Sequence, residues 1–143
     1  DLVKLNKEEI DFLAGDLTLQ AAWEELFAPR EVSLLVVTLA AEGARALGPT
    51  IDCRVAAPDV DVVDTTGAGD GFLSGMLAGL STVLPAGSDE PPRATLADLE
   101  QRDLEAILRL GCHVGSTVCT ELGATPPLPA LTDLPDHLRG ILS

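Results

Sequence analysis

The stretch VDTTGAGDGF, residues 63–72, places three glycines and two aspartates between an apolar run and a run of small residues. Glycine loses more backbone freedom on folding than any other residue, so a cluster of glycines indicates a turn that other residues do not form easily. The preceding VDVVDTT, residues 60–66, alternates acids with valines and predicts a strand that leads into this turn. Small and apolar residues from Gly69 to about Val83 predict a helix that follows it.

The remaining sequence alternates further predicted strands and helices. Strands are predicted at residues 1–5, at the apolar run VSLLVVTL (32–39) and, as a more exposed hairpin, at GARALG (43–48) and IDCRVAA (51–57). Helices are predicted from Asn6 to Gly15, from Thr18 to Pro29, from Leu104 to Leu122 and from Thr132 or Asp133 to Leu142. Residues 85–94 are predicted to form a loop, and the proline-rich residues 123–135 an extended segment. This order predicts an α/β sheet with helices on both faces, in which ligands bind beyond the carboxyl ends of the strands.

Composition restricts the possible partners. The chain has 143 residues, 46% of them hydrophobic, and a formal net charge of -14, which predicts one domain with a real core. We expect neither nucleic acid nor a membrane surface as a partner, because an acidic protein repels phosphate backbones and anionic lipids. Cys53, Cys112 and Cys119 are odd in number and form no CxxC, which indicates reduced core thiols in a cytoplasmic protein. The two histidines have no ligand partner at metal-site spacing.

Several kinds of glycine-rich loop match part of the motif. A Walker A loop is excluded because it requires a lysine after its last glycine, and a dinucleotide fingerprint requires GxGxxG rather than the GxGxG found here. The GxxxG repeat that begins at Gly71 is typical of membrane helices, but its apolar run ends at Pro85, short of the roughly 20 residues that a span needs. We expect these glycines to let a soluble helix lie close to the sheet. A tight turn, with Asp70 as a first-turn acid that favours the helix dipole, remains open on spacing alone.

The same residues suit phosphoryl transfer. Consecutive backbone N–H groups of Gly67, Ala68 and Gly69 at a helix N-terminus form an anion hole for the charge on a transferring phosphoryl group. Asp70 lies at the mouth of this hole, where a carboxylate accepts the proton of an attacking hydroxyl. The glycines let the backbone approach the phosphate, so the two roles depend on each other.

Four segments carry a resemblance to the ribokinase-like (PfkB) carbohydrate kinases. DTTGAGD (64–70) resembles the second signature of that family, DTxGAGD, at every fixed position, and KLNKEE (4–9) resembles its NxxE motif. LVVTLAAEGA (35–44) is similar to the TLGxxG strand and turn near the nucleotide, with Ala40 in place of the first glycine. VCTELGATPPLP (118–129) is similar to the segment that closes over the adenine, although Glu121 stands where many members have arginine. The amino-acid sequences of these segments look most like those of bacterial fructokinases.

The resemblance implies a ribokinase-like three-layer α/β/α sandwich and ATP-dependent phosphorylation of a sugar hydroxyl. With fructose, the reaction yields fructose 6-phosphate and ADP. Asp70 would be the general base, and the N–H groups of Gly67, Ala68 and Gly69 would hold the transferring phosphate. Asn6 and Glu9 would organise Mg²⁺ and its waters. The nucleotide would be contacted by Thr38, Gly43, Cys112 and Ser116. A K⁺ site would be bordered by Asp64, Thr66, Val118 and Gly123.

The resemblance covers all of residues 1–143 but corresponds to the C-terminal half of a typical member. The N-terminal half of such kinases carries most sugar contacts, the lid and a Gly-Gly signature, so we expect this chain alone not to phosphorylate a sugar. Members of the family often dimerise through that lid, so the resemblance leaves open a homodimer of the full-length protein. Ribose, 2-keto-3-deoxygluconate and other acceptors remain open, as do a catalytically inactive binding or assembly subunit and a module that only binds nucleotide.

Overall fold

A four-stranded sheet lies between two layers of helices in the computed structural model, which describes residues 1–83, 96, 99–123 and 128–142. The strands, in their order across the sheet, are β1 (Leu2–Asn6), β2 (Leu34–Thr38), β3 (Ala44–Leu47) and β4 (Asp52–Val55). β1 is parallel to β2, whereas β2, β3 and β4 form an antiparallel meander. The predicted α/β/α sandwich is confirmed.

The helical elements keep the predicted order but differ at several ends. They are α1 (Lys7–Ala14), α2 (Leu19–Ala22) with a π-helical continuation (Trp23–Phe27) and a 3₁₀ turn (Ala28–Arg30), a 3₁₀ turn at Ala40–Glu42, α3 (Ala68–Val83), α4 (Gln101–Val118), a 3₁₀ turn at Leu131–Asp133 and α5 (Asp136–Arg139). Pro29 therefore lies inside a helical turn rather than ending one. None of the helices in the described part of the chain is long and apolar enough to cross a lipid bilayer.

Two of the predictions for the C-terminal part were wrong. α4 ends at Val118 instead of Leu122, whose side chain is 82% exposed and has no core to bury it. The proline-rich segment is not extended throughout, because Leu131–Asp133 forms a 3₁₀ turn in which the Asp133 carboxylate accepts a hydrogen bond from Ala130 N. The predicted loop at 85–94 and residues 124–127 lie outside the described residues.

Strand β2 shows why helices are needed on both faces of the sheet. Leu34 and Val36 pack into the cluster formed with α3 and α4, whereas Leu35 and Val37 pack into the cluster formed with α1 and the π-helical segment. All four side chains are at most 1% exposed. Burial of an aliphatic side chain of this size stabilises the fold by about 1.5–3 kcal/mol, so the predicted doubly covered strand is the centre of the core.

The β3–β4 hairpin was predicted, with strand ends one or two residues too long, but its exposure was predicted only in part. β4 alternates, with Cys53 and Val55 buried and the intervening polar residues exposed. On the exposed face, Asp52 accepts two hydrogen bonds from Arg45 of β3, at 2.7 and 2.8 Å. β3 itself is buried at three of its four positions, because it lies inside the sheet between β2 and β4.

Residues 60–66 do not form the predicted strand. Val62 and Val63 are 61% and 56% exposed, and the backbone N–H groups of Val63 and Asp64 donate to Cys119 O, at 2.8 and 3.2 Å. The segment therefore binds the C-terminal end of α4 instead of a neighbouring strand. Alternation of valine with aspartate predicts a strand only where a partner strand is available, and the described part of the sheet offers none here.

The glycine repeat of α3 faces α4 rather than the sheet, in contrast to the prediction. A Cβ built on Gly71 would lie 2.8 Å from Val118 Cγ2, and one on Gly75 would lie 2.9 Å from Leu110 O. Gly79 similarly approaches Ile107. Because these residues run in opposite directions along the two helices, α3 and α4 are antiparallel and pack more closely than side chains would allow.

Candidate active site

The N-terminus of α3 presents a set of free backbone donors. Gly67 has φ = 82°, a backbone conformation that favours glycine, and its carbonyl accepts the first helical hydrogen bond from Gly71 N at 2.9 Å. Ala68 N donates to Thr65 O at 3.2 Å, so this member of the predicted anion hole is already engaged. Among the described residues, the N–H groups of Gly67, Gly69 and Asp70 have no such partner and are free to bind an anion.

Asp70 lies in the first turn of α3 and is exposed. Its carboxylate takes part in no hydrogen bond or ion pair with any residue that the structure describes. A carboxylate without a bound donor keeps its lone pairs available for a substrate hydroxyl. Asp70 thus lies in the same helical turn as the free N–H groups but does not line the neighbouring cavity, and its position at an anion hole and its catalytic role remain predictions.

A cavity of about 420 Å³ begins at this helix end and runs along the carboxyl end of β2. This volume is within the range of pockets that bind cofactors and small ligands. Its walls are mainly apolar. The lining residues are Thr38, Ala40, Ala41, Gly43, Ala57, Pro58, Asp59, Val60, Val62, Thr65, Ala68, Gly69, Phe72, Cys112, Gly115, Ser116 and Cys119.

All four residues for which the resemblance implied nucleotide contacts line this cavity: Thr38, Gly43, Cys112 and Ser116. Gly43 has φ = 97°, and a Cβ there would lie 2.0 Å from Val55 O, so both the conformation and the space require glycine. Burial raises the pKa of the Cys112 thiol to about 11. Cys112 is therefore a neutral wall of the cavity at physiological pH.

Asn6 and Glu9 do not line the cavity but lie beside it, where β1 ends. Asn6 pairs in register with Thr38, which does line it. Glu9 N donates to Asn6 Oδ1 at 2.8 Å and Asn6 N donates to Glu9 Oε2 at 2.7 Å, so the predicted capping box is present. The second carboxylate oxygen of exposed Glu9 is left for a hydrated cation. Mg²⁺ is usually held by one or two carboxylates, water and substrate phosphates, so the pair fits Mg²⁺ in this limited sense.

Asp64 joins two of the residues predicted to border a K⁺ site. Its Oδ1 accepts hydrogen bonds from Thr66 N and Oγ1, at 2.9 and 2.7 Å, and its Oδ2 accepts one from Gly123 N at 3.0 Å. The backbone and hydroxyl of Thr66, followed by the backbone of Gly123, hold the pKa of the Asp64 carboxyl below its usual range. The side chain of Val118 is buried and packs on Gly71, and the predicted part of its main-chain oxygen in a K⁺ site remains a prediction. Asp64 thus ties the loop before α3 to the segment after α4.

Sequence reasoning missed part of the cavity wall. Residues 57–60, Val62 and Cys119, which follows the end of α4, line the cavity without having been assigned to it. Cys119 follows Cys112 by seven residues, or two helical turns. This spacing predicted that both lie on one buried face, and we interpreted that face as part of the core only. Ala40 was noted as a departure from the family's glycine, and its φ of 50° now shows why glycine suits that position. In the described part of the chain, no group of three or more His, Cys, Asp or Glu side chains could hold a metal ion by itself.

Comparison with known proteins places this arrangement in a family. The sequence profile described as pfkB family carbohydrate kinase matches residues 1–131. The chain belongs to this family. A pfkB-type relative is Probable fructokinase-7 from Arabidopsis thaliana, which is 35% identical over 100% of this chain and 39% of its own length.

Solved pfkB-type kinases share the fold over nearly the whole chain. A double mutant of fructokinase from Vibrio cholerae O395, with fructose, ADP and potassium ion bound, superposes with a TM-score of 0.73 and 27% identity, over 99% of this chain and 40% of that one. Fructokinase from Xylella fastidiosa with bound ATP gives a TM-score of 0.73 and 29% identity, over 99% and 42%. The chain therefore spans about two fifths of the length of these pfkB relatives.

Proposed function

We propose that the full-length protein transfers the terminal phosphoryl group of ATP to a hydroxyl of a sugar, and that the sugar is fructose. Residues 1–143 would supply its ATP-binding and catalytic part, as the C-terminal portion of the kinase domain. The observation that carries the proposal is the unpartnered carboxylate of Asp70 in the first turn of α3, next in sequence to Gly69, whose free N–H lies at one end of a 420 Å³ cavity that Asp70 itself does not line. The fructokinase names of the relatives support fructose as the acceptor.

The chemistry follows from the placement of these groups. The sugar hydroxyl oxygen forms a bond to the terminal phosphorus, and the bond from that phosphorus to the bridging oxygen of ADP breaks. Asp70 accepts the hydroxyl proton as the oxygen attacks. The N–H groups of Gly67 and Gly69 stabilise the charge on the phosphoryl oxygens, because fixed dipoles need no reorganisation during the reaction.

Cations complete the proposal. Glu9, with Asn6, would hold Mg²⁺ through water, and Mg²⁺ when bound neutralises charge on the phosphates of ATP. Asp64 would orient the loop next to a K⁺ ion, a role supported by the potassium ion bound to the Vibrio cholerae enzyme. The cavity along β2 would hold the nucleoside, with Thr38 and Gly43 near the phosphates and ribose.

The test uses the full-length protein with ATP and a panel of acceptors that includes fructose, ribose and 2-keto-3-deoxygluconate. Asp70→Asn is expected to lower kcat by about 10²–10⁴, because the proton acceptor is lost, while ATP affinity changes by less than twofold. Asp103→Asn is the matched control, since Asp103 is also a first-turn acid, in α4. If the two substitutions lowered kcat equally, Asp70 would act only by its favourable interaction with the helix dipole and not as a proton acceptor.

Acceptor identity has its own outcomes. A higher kcat/KM for ribose or 2-keto-3-deoxygluconate than for fructose would contradict the choice of sugar but keep the kinase. ATP binding without turnover of any acceptor, unaffected by Asp70→Asn, would favour a binding subunit. Residues 1–143 alone are expected to show no turnover, and turnover by them would contradict the proposed division of the kinase.

A further inference from the structure

Strand β4 leaves one edge of the sheet open. Among the residues that the structure describes, β4 pairs only with β3. At the end of this hairpin Gly48 N donates to Ile51 O at 2.9 Å, so these two residues form a hydrogen-bonded pair. Such pairs alternate with non-hydrogen-bonded ones along an antiparallel ladder, so Cys53 bonds to β3, whereas the backbone groups of Asp52 and Arg54 point away from it. The N–H and C=O groups of these two residues therefore face the open edge.

The side chains at the same two positions carry opposite charges on the exposed face of the sheet. Those of Asp52 and Arg54 are 52% and 56% exposed. Arg45 of β3 lies directly opposite Arg54 in register, an arrangement of like charges that weakens a sheet. Arg45 donates diagonally to Asp52, and Arg54 donates to Glu42. An acidic side chain on the open side of Arg54 would therefore be favourable.

The short sequence Asp-Cys-Arg of β4 is complementary to itself. An antiparallel copy of β4 centred on Cys53 places Asp52 opposite Arg54 of the copy, and Arg54 opposite Asp52 of the copy. In this register the outward backbone groups of the two strands meet, and each of these pairs exchanges its N–H···O bonds. Charges of one sign protect an edge against such pairing, whereas charges of alternating sign favour it.

Helix α4 provides further charges on the buried side of this edge. Burial, followed by the carboxylates of Glu105 and Asp52, raises the pKa of the Cys53 thiol to about 11, and Arg109 opposes this effect. Both α4 charges therefore lie near Cys53. Arg109 is exposed and makes no hydrogen bond or ion pair with any residue that the structure describes. A copy related by a two-fold axis beside Cys53 brings an acid and a base of its own to this region.

We infer that residues 1–143 carry an interface for a second copy of this chain, in which two β4 strands pair antiparallel about Cys53 and join the two sheets into one. The interface is isologous, since the same residues of both copies contact each other. It does not depend on the proposed function. It is also separate from any contact through an N-terminal lid, because its residues belong to β4 and α4.

Sedimentation of the full-length protein over a range of concentrations tests the charge pairs. Asp52→Arg places like charges opposite each other in both pairs, so it is expected to raise the Kd of association at least about tenfold, and Arg54→Asp should do the same. The double variant Asp52→Arg/Arg54→Asp should return Kd to within about threefold of wild type, because both pairs are again opposite in sign. Asp11→Arg is the matched control and should leave Kd within about twofold, since it reverses a similarly exposed, ion-paired aspartate on α1.

Absence of concentration-dependent association in the wild type would overturn the inference. So would a Kd that neither single variant changes, or a double variant that is as weak as the single ones.

Amide hydrogen exchange of the full-length protein locates the contact. The N–H groups of Asp52 and Arg54 should exchange at least about tenfold more slowly above the Kd than below it. The N–H of Cys53 is the internal reference, because it bonds to β3 in either state. Protection that is equal at all concentrations would show that a segment of the same chain covers the edge, and fast exchange at all concentrations would show that the edge stays open. Either result would contradict pairing with a second copy.

Discussion

Gly43 sits between the 3₁₀ turn after β2 and the start of β3, and its replacement by alanine tests how the nucleotide side of the cavity is built. The methyl group would lie 2.0 Å from Val55 O and 2.7 Å from Ala57 N. Ordinary contact begins at 3.4 Å, so the backbone of the two segments would have to separate by about 3.4 − 2.0 = 1.4 Å. A hydrogen bond of 2.9 Å does not survive such a shift.

The energetic cost has two parts. A non-glycine residue in this backbone conformation costs about 1–3 kcal/mol. Each backbone hydrogen bond that is lost where Ala44 pairs with Val55 costs a further amount of about 0.5–1.5 kcal/mol. With two such bonds lost, we expect Gly43→Ala to lower the free energy of unfolding of the full-length protein by about 2–6 kcal/mol. It should also weaken ATP binding because Gly43 lines the cavity.

Gly15→Ala separates strain from collision. Gly15 has φ = 59° and ψ = -122°, close in ψ to the -128° of Gly43, but a Cβ there would meet nothing within 4 Å. This control should cost only the strain of about 1–3 kcal/mol. Urea denaturation of both variants measures the difference in the free energy of unfolding, which we expect to equal the hydrogen-bond part of about 1–3 kcal/mol. Costs that agree within about 0.5 kcal/mol would refute the collision as the reason for glycine at position 43.

Three further predictions concern the loops around the site. Gly115→Ala would place a methyl 2.9 Å from Ala68 O and displace the loop before α3, so kcat of the full-length protein should fall at least about tenfold in steady-state assays. Acid unfolding should distinguish Asp64→Asn from wild type, because the folded protein holds the pKa of the Asp64 carboxyl below its usual range. The resulting stabilisation is complete above about pH 4 and is lost as the pH falls through the lowered pKa. The free energy of unfolding of the variant should therefore depend less on pH in this range. Ala40→Gly should raise the free energy of unfolding, measured in urea at pH 7, by about 0.5–1 kcal/mol, because Ala40 has φ = 50°.

Local rules were sufficient for the elements whose cause lies within a few residues. The Asn6 and Glu9 capping box, the Gly15 helix end and the β2 strand each depend on neighbours in sequence or on continuous apolar character. The signature loop was also predictable, because its N–H donors follow from the start of a helix. In each case the residue type and its immediate sequence determine the geometry.

Long-range partners decided what the sequence did not predict. Residues 60–66 have a strand pattern, but the carbonyl of Cys119, more than fifty residues away, accepts their hydrogen bonds. The glycines of α3 were expected to pack on the sheet, because their spacing in the sequence does not indicate that α4 is the element they contact.

The position of the proposed phosphate site is set from a distance by these long-range contacts. Gly71, one residue after Asp70, packs against Val118 near the end of α4, and Asp64 binds the N–H of Gly123 just beyond that end. Both anchors of the signature loop therefore belong to the segment that follows Gly115. A shift of the α4 end by a fraction of an ångström moves the loop as a unit, since neither contact has space to absorb it. Under the proposed function, alignment of Asp70 with a substrate would thus depend on α4, whose described residues supply no charged group to the cavity.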